Sequence, residues 1–218
     1  MNILLVAATD LEIKPFREYL AQARLPATYQ VTVLITGIGG MHTAWHLGKY
    51  LAAHRPDVAI QAGIAGSFNR QWPLGQVVVV SREQLGDLGV DDAGTFKDLF
   101  DTGLWQSGQP PFEDSSLVNT FAYLPAVPEL PVAAGVSVNT VSGSLPGIER
   151  IQQKYAPDIE SMEGAAFHFA CLQEGIPFLQ LRGISNYVEV RDKSKWNIPL
   201  AVQNLNRALI AVVEAMTT

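Results

Sequence analysis

The sequence predicts an α/β fold: a single domain over residues 1–218 with a central mixed, mostly parallel β-sheet flanked by helices. Three observations predict it. Strand-length apolar runs alternate with helix-length amphipathic segments along the chain, the pattern of strands joined by crossover helices. The runs end in small or polar residues, at Thr9, Gly37, Gly63, Asn139 and Ser185, as strands do where they empty onto one edge of a sheet. A chain of 218 residues that is 48% hydrophobic suits one sizeable core, and it contains no internal repeat, low-complexity tract or linker.

Taken in order, Asn2–Ala8 is a continuous apolar run, the pattern of a strand buried on both faces. Thr9 or Asp10 caps the helix that follows, which ends before Pro26; Pro15 fits it only in the first turn. Val31–Thr36 is a second strand and leads through Gly37-Ile-Gly39-Gly40 into a helix over about Met41–Ala53. Asp57–Gln61 is a third, ending in a Gly63-Ile-Ala-Gly66 turn, and Gly75–Ser81 a fourth. From Arg82 to about Pro131 the periodicity breaks down, with isolated aromatics at Phe96, Phe100, Trp105, Phe112 and Phe121 and a short helix over Ser115–Ala122. An irregular stretch of this length is functional or held by a partner. Regular structure resumes with a strand at Val132–Val138, and Ser144 and Pro146 open a helix to about Tyr155. Ile159–Met162 is a short buried strand. Gly164–Glu174 is a helix stopped by Gly175 and Pro177. Pro177–Ile184 is the last strand, and Pro199–Met216 the last, amphipathic helix.

The net charge of −6, without a basic cluster, argues against nucleic acid and anionic membranes as partners. No basic segment precedes the first strand, so no signal peptide is expected, and no apolar run is long enough to span a bilayer. Cys171, the single cysteine, lies on an apolar helical face and reads as a small core residue. The expectation is a soluble cytoplasmic protein.

The residues able to carry chemistry gather at the carboxyl ends of the strands. Glu163 stands where a strand meets the N-terminus of a helix, where unpaired N–H groups and the helix dipole favour a carboxylate; it either caps that helix or serves a site. Glu12 lies early in the first helix, with the same two readings. Two carboxylates on one edge suit cleavage of a glycosidic bond, one activating water while the other fixes the sugar. Gly37-Ile-Gly39-Gly40 is able to offer backbone N–H groups to an anion, but it lacks the Lys-Ser/Thr of a P-loop. The Gly63–Gly66 stretch lets a flat ring lie against Ile64 and Gly66, or is simply a tight turn. Asn186, after Ser185, offers both donors and an acceptor to the edge of a base, or caps a loop. His42 and His46 are helix neighbours without a third ligand, so no metal is expected. No Ser/His/Asp or reactive-cysteine signature is present.

Ala7-Ala-Thr-Asp-Leu-Glu12, Thr36-Gly-Ile-Gly39, Gly63-Ile-Ala-Gly66, Ser161-Met-Glu163 and Gly183-Ile-Ser-Asn186 occur in this order. In that order they resemble the nucleoside phosphorylase and nucleosidase superfamily over nearly the whole chain, most strongly at Met162-Glu163. The resemblance implies a nucleoside phosphorylase-like α/β domain, a small-molecule nucleoside as ligand, no cofactor and a homo-oligomer. The chain is similar to the hydrolytic branch, typified by 5′-methylthioadenosine/S-adenosylhomocysteine nucleosidase. There, Glu12 activates the attacking water, and Met162-Glu163 grips the ribose. By position, Ile38 lies near the sugar and the water, and Thr140, Val141 and Trp196 flank base or ribose.

The departure lies at Ser185-Asn186, where the methylthioadenosine enzymes have Ser-Asp. Asparagine cannot protonate a departing adenine, whereas a 6-oxopurine leaves readily as an anion that an amide donor stabilises. Together with Asp87-Leu-Gly-Val-Asp91, this resembles the futalosine hydrolase subfamily of menaquinone biosynthesis, which releases hypoxanthine and leaves dehypoxanthine futalosine. Arg82 and Arg182 are candidates for the carboxylate on futalosine's 5′ group. The other readings are a methylthioadenosine/S-adenosylhomocysteine nucleosidase, a phosphate-dependent purine nucleoside phosphorylase, and a noncatalytic nucleoside-binding protein.

Overall fold

Alternate residues of the first strand serve two cores. In β1 (Asn2–Ala7), Ile3, Leu5 and Ala7 pack to one side of the sheet and Leu4 and Val6 to the other. This is the period of two that a strand buried on both faces imposes. The computed structural model describes all residues except 24, 121–129 and 217–218. After β1 come α1 (Asp10–Gln22), β2 (Gln30–Ile35), α2 (Gly40–Leu51), β3 (Val58–Ser67) and β4 (Val77–Leu85). A hairpin of β5 (Gly89–Asp92) and β6 (Thr95–Asp98) follows, then β7 (Leu117–Val118), β8 (Val132–Ser137), α3 (Leu145–Tyr155) and β9 (Ile159–Ser161). The chain closes with α4 (Gly164–Glu174), β10 (Phe178–Tyr187), a single 3-10 turn at Lys193–Lys195 and α5 (Ile198–Met216).

The α/β class and the mixed sheet with helices on both faces are as expected, but the sheet is not a simple open layer. β3, β10, β4, β8 and β9 pair in turn and return to β3, closing a five-stranded ring, with β1 and then β2 added outside β3. Parallel pairing holds for β1–β2, β1–β3, β3–β10, β4–β8 and β8–β9; β10–β4, β3–β9 and β4–β7 are antiparallel. Helices α1 and α5 cover one face, built on Ile13, Phe16, Leu205 and Leu209. Helices α2 and α4 cover the other, built on Leu47, Phe167 and Cys171.

Several local expectations need correction. Gly63-Ile-Ala-Gly66 is not a turn: β3 runs straight through it to Ser67. β10 likewise continues past Ile184 through Ser185 and Asn186, with a bulge where its register against β3 shifts. The segment from Arg82 to Pro131 is more ordered than its composition suggests, since it holds the end of β4, the hairpin and β7. Residues 115–120 are not helical, because β7 takes Leu117 and Val118 to pair with Glu83 and Arg82; residues 121 and 122 lie outside the described residues. Phe100, Trp105 and Phe112 are not isolated but stack edge-on, Phe112 being 5.2 Å from Phe100 and 6.3 Å from Trp105, against Ala165 of α4.

Pro15 lies inside α1, beyond its first turn. A proline there removes a backbone donor and disturbs the ladder. Asn206 of α5, 1% exposed, repairs it. Its Oδ1 accepts from Phe16 N (2.9 Å) and its Nδ2 donates to Glu12 O (2.8 Å). The turn that carries Glu12 is thereby pinned to α5.

Candidate active site

Glu12 is the third residue of α1. One of its carboxylate oxygens accepts from both Thr9 N and Thr9 Oγ1, each at 3.0 Å, so it does close its own helix. The other reaches across to β3 and accepts from Ile64 N at 3.2 Å. Capping and site are therefore one placement. Burial raises the Glu12 pKa above the usual carboxylate value; the charge of Arg182 and the Ile64 N–H oppose the rise, and Glu163 adds to it.

Glu163 precedes the first residue of α4 and is buried. It accepts from Gly39 N at 3.0 Å, at the mouth of α2, and from Arg182 Nη1 at 3.4 Å. Arg182, on β10, is the residue that sequence reasoning misplaced. It is 1% exposed, donates to Gln61 Oε1 at 2.9 Å, and stands between the two glutamates, so it is not free for a substrate's distal carboxylate. Its signal was present in the sequence: a charged residue inside the buried run Phe178-Leu-Gln-Leu-Arg182 must be paired. Arg82, the other cation considered, is exposed on β4. Gly63, expected as the start of a turn, has a different use in the strand. A side chain there would overlap Arg182 Nη1 and come within 3.1 Å of Glu12 Oε1, so the strand must be bare for the cluster to form.

The bulge in β10 sets Asn186 opposite Gly66. Asn186 Nδ2 donates to Tyr187 O at 3.0 Å, which fixes the amide, and Ser185 Oγ lies 2.8 Å from Asn186 Oδ1 and 3.2 Å from Ala65 O, the two acceptors for its one hydrogen. A second Nδ2 hydrogen remains for a ligand. A Cβ at Gly66 would lie 3.1 Å from Nδ2, so Gly66 keeps that side open. Met162 borders a cavity of about 420 Å³ with Gly40, Asn139, Trp105, Phe112 and Phe169.

Ile64 thus joins Glu12, Gly66 joins Asn186, and Ile38 lies beside the Gly39 that binds Glu163, with its side chain exposed. Thr140, Val141 and Trp196 are not joined to this cluster: among the described residues none of them hydrogen-bonds to Glu12, Glu163 or Asn186. Their backbone is nevertheless fixed. Asp87 accepts from Asn139 N (2.6 Å) and Thr140 N (3.2 Å), and Glu160 accepts from Ser142 N (2.8 Å). Asn197 N donates to Ser185 O at 2.8 Å, which sets Trp196 beside the Ser185-Asn186 pair. Arg191 lies over the Trp196 ring at 5.3 Å and donates its N–H to Gly143 O, laying the segment that carries Trp196 on the one that carries Thr140 and Val141. His42 and His46 stack on each other, and no group of three or more metal-binding side chains forms among the described residues.

Comparison with known proteins bears on the family and the fold. The chain is similar to the futalosine hydrolase of Thermus thermophilus, with 32% identity over 220 residues, covering 94% of this chain and 92% of that protein. Its fold matches the native structure of Helicobacter pylori futalosine hydrolase, with a TM-score of 0.81, 17% identity, and 98% and 97% of the two chains covered. It equally matches the 5′-methylthioadenosine/S-adenosylhomocysteine nucleosidase of Neisseria meningitidis in complex with methylthio-immucillin-A, with a TM-score of 0.80, 18% identity and 98% of each chain covered. Residues 3–214 match the phosphorylase superfamily, and the chain belongs to that superfamily.

Proposed function

We propose that this protein hydrolyses the N-glycosidic bond of futalosine, releasing hypoxanthine and dehypoxanthine futalosine in menaquinone biosynthesis. The observation that carries the reading is Asn186 in the company of Glu12: a water-activating carboxylate paired with an amide where an acid would serve adenine. The 32% identity to a futalosine hydrolase over nearly the whole chain supports it.

In this reading Glu12 takes a proton from water as the water oxygen bonds to the anomeric carbon. The bond to the purine nitrogen breaks, and its electron pair leaves with the base. Glu163 holds the ribose hydroxyls and, with its negative charge, favours the oxocarbenium-like transition state. Asn186 Nδ2 donates to the departing 6-oxopurine. Ile38, Ile64, Gly66, Met162 and Ser185 shape the ribose and base positions, and Thr140, Val141 and Trp196 cover the base. Water is the only co-reactant, so no cofactor enters. Residues 1–218 act as one nucleosidase domain, in the cytoplasm and as a homo-oligomer. Met41 and Trp45, one turn apart on α2 and 77% and 66% exposed, support the last point, since large apolar side chains in such a pair favour a covering partner.

The test is chromatographic: futalosine, aminodeoxyfutalosine, methylthioadenosine and inosine are incubated separately with the protein, with and without phosphate. Hypoxanthine from futalosine without phosphate is the expected result. Adenine from methylthioadenosine would instead make it a methylthioadenosine/S-adenosylhomocysteine nucleosidase. Dependence on phosphate would make it a phosphorylase, and binding without any product a nucleoside carrier.

A further inference from the structure

Behind Glu163 lies a chain of buried polar side chains that the reaction as written does not use. Glu83 of β4 is wholly buried, and a side chain at either Gly135 or Gly164 would overlap its carboxyl. Ser137 Oγ lies 2.9 Å from one of its oxygens and accepts the N–H of Ala165 at 2.7 Å, so its own hydrogen goes to Glu83. Gln180 Nε2 donates to the other oxygen at 2.8 Å. The Gln180 side chain also reaches the ring of His168 on α4. His168 Nδ1 lies 3.1 Å from Leu117 O, a pure acceptor, so Nδ1 carries the ring's hydrogen and Nε2 is left as an acceptor.

With the amide in this orientation two acceptors meet: Gln180 Oε1 and His168 Nε2 are both buried and both unpaired. Unpaired buried acceptors are costly. Oxygen and nitrogen of an amide are nearly isosteric, and only the surrounding hydrogen bonds decide between them. Turning Gln180 over lets its Nε2 donate to His168 Nε2, but its Oε1 then meets Glu83. One added proton resolves the whole chain.

We propose that Glu83 is a positioning residue that works with its carboxyl protonated. Its O–H donates to Gln180 Oε1, Gln180 donates onward to His168, and Ser137 ties Glu83 to the first turn of α4 and hence to Glu163. The charges facing it agree. Glu163 lies at the start of α4 and Arg182 two residues beyond Gln180 on the same face of β10; a neutral Glu83 leaves the Arg182 charge to Glu12 and Glu163 alone. Burial, chiefly, and then Glu163 push the Glu83 pKa up to about 7 against Gln180, Arg182 and Ser137. Burial drives His168 down to about 4, so the proton sits on Glu83 and not on the ring.

The decisive variant is Glu83→Gln, whose amide donates to Gln180 and accepts from Ser137 as a protonated glutamate does. Infrared spectra of the wild-type protein should show a buried carboxylic-acid C=O band below neutral pH that fades above it and is missing in E83Q. E83Q should keep kcat/KM within about threefold of wild type below neutral pH and lose the wild type's decline above it, whereas Glu83→Ala should lose most activity at every pH. A carboxyl with a raised folded-state pKa stabilises most at low pH. Wild type should therefore lose stability relative to E83Q as pH rises from about 4.5 to about 7. An E83Q as inactive as E83A, or no carboxylic-acid band, would overturn the proposal in favour of an ionised Glu83 with a water between Gln180 and His168. If E83Q does not fold, ¹⁵N shifts of His168 in the wild type decide: Nε2 must accept a hydrogen bond below neutral pH and lose it above. The infrared, stability and ¹⁵N readouts need no substrate, so they stand apart from any failure of the futalosine reading.

Discussion

Glu12 already spends one oxygen on Thr9 and shares the other with Ile64 N–H, leaving a lone pair of that second oxygen for a water molecule. Glu12→Gln should keep the fold, because an amide oxygen still accepts, yet turnover should fall by ~10²–10⁴-fold as the base is lost. Circular dichroism and steady-state kinetics on one preparation check both halves. A base must be ionised to work, and burial raises the Glu12 pKa, so activity should fall with decreasing pH at a point above the usual carboxylate value. Asn186→Asp should raise adenine release relative to hypoxanthine release, measured as a ratio of kcat/KM values, because the new carboxyl is able to carry a proton to the departing base. At this scale much of the site was legible. Each of Glu12, Glu163 and Asn186 has a bland use as a cap, and they stood out because all three fall at the carboxyl ends of strands, within motifs that occur in the order of a known superfamily. Arg182 did not stand out as a member of the carboxylate cluster. Its role depends on being opposite Gly63 on a neighbouring strand, a relation that no local pattern encodes.

Among the elements, α1 shows how a weakness in one helix is met by another. Pro15 costs the helix a donor, and Asn206 spans Phe16 N and Glu12 O from α5. Asn206→Leu should destabilise the protein by about 1–3 kcal/mol, the cost of leaving such groups unpaired, as read from urea denaturation. It should also lower kcat, because the turn holding Glu12 loses its anchor. The boundaries of α4 were legible to the residue, since Gly175 and Pro177 stop it and Glu163 stands before it. The ends of β3 and β10 were not. Glycines at 63 and 66 and polar residues at 185 and 186 carry the usual marks of a turn, but there they make room for Arg182 and Asn186 on paired strands. Phe100, Trp105 and Phe112 misled in the same way: they pack on one another and on Ala165 of α4, far along the chain.

At the scale of the molecule, the closure of β3, β10, β4, β8 and β9 into a ring was beyond the sequence, because closure depends on which strands meet and not on where they begin and end. The ring gathers Gln61, Glu83, Gln180 and Arg182 into one buried polar interior behind the site. The inward packing of Phe100, Trp105 and Phe112 moves the search for a subunit contact from that segment to α2. If the proposed homo-oligomer forms through α2, light scattering at micromolar concentration should give an oligomer for the unaltered chain and a monomer when Met41 and Trp45 are replaced by Glu together. The same ring has a cost at the far side of the sheet. Its own strands are paired in a circle, but β2 hangs outside with β1 as its one partner among the described residues. Gln30-Val-Thr-Val-Leu-Ile35 contains no proline or charge to discourage another chain. When heat or mutation loosens this protein, β2 is where aggregation should begin.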